Sequence, residues 1–352
     1  MLPVVRAIAA LPGLRQEVLL TGQHRGLAAM FEADAAVREL GYDPAGRTPV
    51  KLRETLHRAL CGAFRTEPAD LVLVHGDTTS ALAGAFAARD CGIPFGHVEA
   101  GLRSFDFRHP WPEEGNRVAI DAMADLLFAP TETAAANLAN DHRARGEVHV
   151  TGNSGIDALF AAARDLPPRQ VAAGGRRTIL VTCHRKENEG AARAAIASAL
   201  KRLVRHLPVR IVLPLHPNRH IRAETEHLLG GTPHIALLPP LDHAQMVETI
   251  ARSWLILTDS GGLQEEGPAL GKPVLVLREV TERPEAEPNV EMVGSDPDRI
   301  FAAVAGLIVE PPRYAAMARP NLAFGDGKAG PRIVAACQAF LRARAGRLRA
   351  RA

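Results

Sequence analysis

Cysteine is scarce and scattered in this chain. The four, Cys61, Cys91, Cys183 and Cys337, show no C-x-x-C spacing, which argues against a disulfide framework and against a cysteine zinc site. Long apolar runs are also missing. No stretch reaches the roughly 18 residues a membrane span needs, and the N-terminus has no long apolar segment with a cleavage site, so a cytoplasmic protein with no membrane partner is expected. Charge of one sign is lacking too: the net charge is only +3, with arginines interspersed among acids. That speaks against a nucleic-acid partner, and the basic end from Leu341 to Ala352 reads as a solvated helix terminus. Finally, H-x-H and H-E-x-x-H spacings are absent, so no histidine metal centre is predicted.

What is present fits a globular α/β protein. The 352 residues, 47% hydrophobic and 23% charged, suffice for two or three domains with a large core. An amphipathic helix over Met1–Leu11 comes first, then a strand at Glu17–Leu20. A loop is expected over Asp43–Arg47 and a helix over Val50–Phe64. Strands are predicted at Leu71–Val74, Ile93–Val98, Asp125–Phe128 and Glu147–Val150, with a helix over Ser80–Asp90. The aromatic, basic loop Leu102–Pro112 could cover a cleft. A polar stretch between Ala162 and Arg177 reads as a linker. Beyond it, strands at Thr178–Thr182, Val209–Leu215 and Ile235–Leu238 and a helix over Asp242–Ala251 repeat the alternation. Strand and helix in turn imply parallel sheets in two doubly wound domains, although no sequence repeat relates the halves.

The stretch Trp254–Glu285 concentrates the chemistry. An apolar strand stops at Thr258, Asp259, Ser260, Gly261 and Gly262, and a helix follows at once. Such a junction presents backbone N–H groups and a positive dipole end to an anion. A plain βα connection with glycines for turning would look the same. A wider regularity weighs against that reading: Asp77, Glu99, His184, His216 and Asp259 each follow the C-terminal end of an apolar strand, where open α/β sheets place their ligand crevices. Any one of them could merely cap a helix or satisfy a loop.

Longer strings carry more information. VHGDTTSALAG (Val74–Gly84), GHVEAGLRSFD (Gly96–Asp106), PWPEEGNR (Pro110–Arg117), FAPTETAAANL (Phe128–Leu138), TGNSGIDAL (Thr151–Leu159), VTCHRKENEG (Val181–Gly190), LTDSGGLQEEGPALGKPVLVLREVTERPEA (Leu257–Ala286) and GDGKA (Gly325–Ala329) together resemble the bacterial non-hydrolysing UDP-N-acetylglucosamine 2-epimerases. The resemblance runs from about residue 17 onward. It implies two Rossmann-like domains of the glycosyltransferase-B type, with UDP-sugar in the interdomain cleft. The domains would be 1–160, bearing the catalytic carboxylates, and 161–325, binding UDP, with a C-terminal helix, 326–352, returning to the first. A homodimer is implied as well, and neither a cofactor nor a metal is expected.

The same resemblance assigns roles. Asp77, Glu99 and Glu113 match the catalytic carboxylates and His184 the partner of the leaving group. Ser260, Gly261 and Gly262 would hold the diphosphate with Arg283, helped by Arg185 and His216, and Glu266 would pair with ribose hydroxyls. The reaction implied is inversion at C2 of UDP-GlcNAc to give UDP-ManNAc. Because no carbonyl acidifies the C2 proton, the route is elimination of UDP to 2-acetamidoglucal and re-addition. A hydrolysing epimerase releasing ManNAc and UDP, and a UDP-sugar-binding protein without turnover, stay open beside it.

Two departures from the family pattern carry expectations. Family members begin with a strand and a G-T-R-P-E loop, whereas Met1, Leu2 and Pro3 align just after that loop. The first domain is therefore expected to lack its first, central strand, between Glu17–Leu20 and Leu71–Val74. Second, the activator-binding Q-H-R-polar run of some members is matched here by Gln23, His24 and Arg25 but followed by Gly26. Gln23 and His24 are possible allosteric contacts, and weak or absent sigmoidality is expected.

Overall fold

The computed structural model describes residues 1–349 except 23–27, 42–47, 109–110, 165, 167–174, 280 and 282. The chain divides into two compact units, Met1–Ala158 with Gly325–Ala352, and Leu159–Phe324. The loop read over Asp43–Arg47 and the central part of the linker lie outside the described residues.

In the first unit the strands are β1 (Glu17–Leu20), β2 (Ala36–Glu39), β3 (Val72–His75), β4 (Phe95–Val98), β5 (Leu126–Ala129) and β6 (Glu147–Val150). All pairings are parallel, but they form two sheets: β1 with β2, and β3-β4-β5-β6 in that order. Among the described residues no ladder joins β1 to β3, so the sheet is broken where a central strand was expected to be lacking. The inner strands β4 (FGHV) and β5 (LLFA) are buried throughout. This is the continuous apolar pattern of a sheet covered on both faces.

One face is covered by helices Pro49–Thr66 and Thr79–Asp90, each N-capped by a threonine side chain, Thr48 or Thr78, that accepts a backbone N–H. The alanine-rich second helix brings Ala83, Ala85 and Ala87 into one core with Leu56, Leu60 and Phe64. On the other face Val4 of helix Leu2–Ala9 packs with Ile333 and Val334 of helix Ala329–Arg349 against Val98, Leu126 and Phe128. Asp157 fixes the start of that last helix, accepting from the N–H groups of Ala329 (3.0 Å) and Gly330 (2.7 Å). A cap of this kind contributes about 1 kcal/mol.

Gly101, just past β4, has φ +82, and a Cβ there would run into the Ala134 carbonyl and, at 2.8 Å, the Leu138 side chain. Strain and overpacking act together at this position. Gly101→Ala is expected to lower unfolding stability by about 2–4 kcal/mol, read from the urea midpoint at unchanged m-value.

The second unit holds β7 (Arg177–Thr182), β8 (Val209–Pro214), β9 (Ile235–Leu238), β10 (Leu255–Thr258), β11 (Val274–Val276) and β12 (Val290–Met292). They form one parallel sheet in the order β12-β11-β10-β7-β8-β9. The order reverses between β7 and β10, where Thr182 stands beside Thr258. Such a switch point separates the following loops and opens a crevice at the strand ends. Helix His243–Arg252 begins with a reciprocal capping box between Asp242 and Gln245. Among the described residues no single helix is long and apolar enough to cross a membrane.

Candidate functional site

In the first unit the turns after β3 and β4 bring Asp77 and Glu99 to one buried arginine, Arg117, on helix Glu113–Asp121. Its guanidinium lies 2.5 Å from Asp77 Oδ2 and 3.5 Å from Glu99 Oε1, and it also donates to the Glu99 carbonyl. Burial alone would lower the guanidinium pKa, but Glu99 and Asp77 outweigh it and the pKa is raised. A single cation shared by two carboxylates offsets their mutual repulsion and lets them approach each other. Asn116, one residue earlier, donates to the Asp77 carbonyl at 2.8 Å. Glu99 itself sits at φ +72, a conformation that costs a non-glycine residue of order 1–3 kcal/mol. The strain is held by bonds from the Glu99 and Ala100 N–H groups to the Phe128 carbonyl.

Glu113 opens the helix that carries Asn116 and Arg117. Its neighbour Glu114 is buried and accepts from the N–H groups of Ser104 and Phe105, pinning the start of the aromatic loop. Phe105, Phe107 and Trp111 of that loop are exposed. His75 stands beside Glu99, with Nε2 3.4 Å from Oε2. Although the side chain is 35% exposed, Nε2 itself is buried, and burial pushes the pKa down to about 4. The imidazole is therefore neutral near pH 7.

In the second unit the switch point gathers the other half of the predicted residues. Asp259, fully buried after β10, accepts at Oδ2 from the His184 and Arg185 N–H groups (both 2.8 Å) and from Asn188 Nδ2 (3.0 Å). Its strand-end position thus serves to brace the loop after β7. His184 and His216 stack with ring centroids 5.3 Å apart. Burial, then the neighbouring His184, lowers the His216 pKa.

The glycine turn differs from a simple helix-terminus anion site. The helix after it, Leu263–Ala269, is seven residues long, and the Ser260 N–H turns back to Thr258 Oγ1 at 2.9 Å. A helix this short offers little dipole, so the charge at the turn comes from Arg283. Its Nη1 lies 2.8 Å from where a Gly261 Cβ would stand, so only glycine lets the guanidinium lie against the backbone. Glu265, buried, accepts from Arg283 Nε at 2.6 Å. Thr281 joins this brace through Gln264 Oε1 (2.6 Å) and the Arg283 N–H (3.2 Å).

Glu266 projects from the same helix. Burial, and then repulsion from Glu265, pushes its carboxyl up to about 7. The raised pKa means that the folded state binds its proton more tightly than the unfolded chain. The stabilisation is present below about pH 4.5 and is lost as pH rises through about 7. Glu266→Gln is expected to remove 1–3 kcal/mol, roughly, of the stability difference between pH 5 and pH 8.5, measured by denaturant unfolding at both values.

Gln23 and His24 lie outside the described residues. Arg117, Asn116, His75 and Glu265 were not singled out from the sequence, although PWPEEGNR and SGGLQEEG contain three of them. A strand-end rule finds residues that follow strands, whereas Asn116, Arg117 and Glu265 reach the strand ends from helices.

Fold and site define a class: an α/β protein of two Rossmann-like units, glycosyltransferase-B in type, with clustered carboxylates in one unit and an arginine-backed glycine turn in the other. The UDP-N-acetylglucosamine 2-epimerase family profile matches residues 6–338. A probable UDP-N-acetylglucosamine 2-epimerase of Ralstonia solanacearum is 39% identical over 357 residues, covering 97% of this chain and 95% of that protein. The crystal structure of the Neisseria meningitidis UDP-GlcNAc 2-epimerase bound to UDP-GlcNAc superposes with TM-score 0.88 at 33% identity, over 96% of this chain and 95% of that one. The S. aureus MnaA–UDP co-structure gives TM-score 0.89 at 36% identity, over 97% and 93%. The chain belongs to the UDP-N-acetylglucosamine 2-epimerase family.

Proposed function

We propose that this protein interconverts UDP-GlcNAc and UDP-ManNAc by eliminating and re-adding UDP. The observation that carries the reading is the Asp77–Arg117–Glu99 cluster: two carboxylates from different strand ends, held together by one buried arginine. One carboxylate removes the C2 proton while the anomeric C–O bond to the diphosphate breaks and UDP leaves with the bonding electrons. The product, 2-acetamidoglucal, takes a proton at C2 on the opposite face and UDP re-adds at C1. Asp77, Glu99 and Glu113 between them supply base and acid, a task worth about 10²–10⁴ in rate. On the second unit, Ser260, Gly261, Gly262 and Arg283 take the diphosphate, His184, Arg185 and His216 assist the leaving group, and Glu266 accepts from ribose hydroxyls. UDP-GlcNAc in the Neisseria relative and UDP in the S. aureus relative support this choice of ligand.

Incubation with UDP-GlcNAc, followed by anion exchange and proton NMR, tests the proposal. UDP-ManNAc is expected to accumulate to an equilibrium that is also reached from the other side. Stoichiometric free ManNAc and UDP would identify a hydrolysing enzyme, and tight binding without conversion a binding protein. Either result overturns the proposal. The family resemblance also supports a cytoplasmic homodimer. Sedimentation equilibrium is expected to give twice the chain mass of 37.7 kDa, and the monomer mass would contradict it.

A further inference from the structure

Behind the carboxylates lies a buried polar group that the proposed reaction does not use. His97, in the middle of β4, and Asp121, at the end of the helix that starts with Glu113, are both fully buried. His97 Nδ1 is 2.6 Å from Asp121 Oδ1, and His97 Nε2 is 2.9 Å from the Gly76 carbonyl oxygen. Asp121 Oδ2 accepts from the Gly101 N–H at 3.2 Å and lies 2.7 Å from Arg103 Nη1. Burial would raise the Asp121 pKa, but hydrogen bonding and charge from His97, with Arg103, keep it lowered. A carboxylate oxygen and a carbonyl are both acceptors, so each ring nitrogen faces an acceptor.

The pattern of attachment points gives this group a purpose beyond filling the core. Gly76 precedes Asp77, and Gly101 lies two residues after Glu99. Asp121 sits on the same helix as Glu113 and one turn after Arg117. Gly76 has φ +68, and its carbonyl has the His97 ring as a fixed donor. Each of the three segments that carry a candidate catalytic carboxylate is therefore tied to one buried centre. We infer that His97 and Asp121 are positioning residues, which set the register of the Asp77 turn, the Glu99 turn and the Glu113 helix relative to one another. The inference rests on the epimerase reading proposed above. Apolar residues of similar volume would fill the space without the desolvation cost of buried charge, but they would not fix these turns. A misplacement of about 1 Å in a reacting group can cost about 100-fold in rate.

His97→Gln and His97→Asn separate positioning from plain stability. Glutamine reaches as far as Nε2 and keeps the donor to Gly76, whereas asparagine reaches only as far as Nδ1 and keeps the donor to Asp121. With UDP-GlcNAc as substrate, kcat is expected to fall about 100-fold in His97→Asn and about 10-fold or less in His97→Gln, with KM in both within threefold of wild type. Asp121→Asn, which preserves volume, is the second arm and should lower kcat by tens of fold at unchanged KM. Wild type assayed in parallel keeps the two readings apart: an inactive wild type removes the epimerase proposal, whereas an active wild type tests the positioning claim. Folded His97→Asn or Asp121→Asn with wild-type kcat, equal kcat in the two His97 variants, or KM rising in step with the loss would overturn the inference. Failure of all three to fold would overturn it too, leaving the group a purely structural one.

Discussion

Arg117→Met is expected to lower kcat about 10³-fold and to destabilise the fold at the same time. The arginine is 7% exposed, and its partners Asp77 and Glu99 are 27% and 19% exposed. Removing it leaves two carboxylates beside each other with no shared cation. Their mutual repulsion is then no longer offset, and the two strand-end turns lose the group that holds both carboxylates in place. The stability loss should be about 2–4 kcal/mol, toward the lower end for breaking a buried pair because both carboxylates keep some contact with water. Arg117→Lys restores the charge but not the fork that spans Asp77, Glu99 and the Glu99 carbonyl, so an intermediate loss of about 10²-fold is expected. Activities are to be compared at temperatures where circular dichroism shows each variant folded. Wild-type kcat in folded Arg117→Met would refute the role of the cluster.

Gly261→Ala is expected to weaken UDP binding by about 10–100-fold. The new methyl group would meet the Arg283 guanidinium at 2.8–3.0 Å. Because that group is the end of a long side chain, it gives way instead of the backbone. Moving it separates Arg283 from the turn and strains its bond to Glu265, costing a charge-assisted contact worth about 1.5–3 kcal/mol. Arg283→Ala should cost about the same, and the double variant should cost little more than either alone, because both changes remove one interaction. Calorimetric titration with UDP measures all three. Additive losses would show that Gly261 and Arg283 act separately.

These sites were partly legible in the amino-acid sequence, and the reasons differ from residue to residue. Strand-end logic located Asp77, Glu99, His184, His216 and Asp259 because apolar runs such as Leu255–Thr258 are short, buried and sharply ended. It could not tell a ligand contact from a brace: Asp259 proves to hold the backbone of His184 and Arg185. β2 escaped the reading because Ala36–Glu39 is short, polar and half exposed, and so carries no apolar run. Arg117 and His97 escaped it because their partners are 18 to 40 residues away in sequence. Pattern along a chain reports periodicity, whereas a pairing across the fold exists only once the fold brings both ends together. The break between β1 and β3 was expected from the family resemblance, in which Met1, Leu2 and Pro3 align just after the loop that follows the family's first strand.

Incubation with UDP-GlcNAc in deuterated water is the most direct test of the central claim, that inversion proceeds by removal and return of the C2 proton. UDP-GlcNAc and UDP-ManNAc recovered at equilibrium are both expected to carry deuterium at C2, with no exchange at other carbons. Interconversion with protium retained at C2, or no interconversion at all, would contradict it.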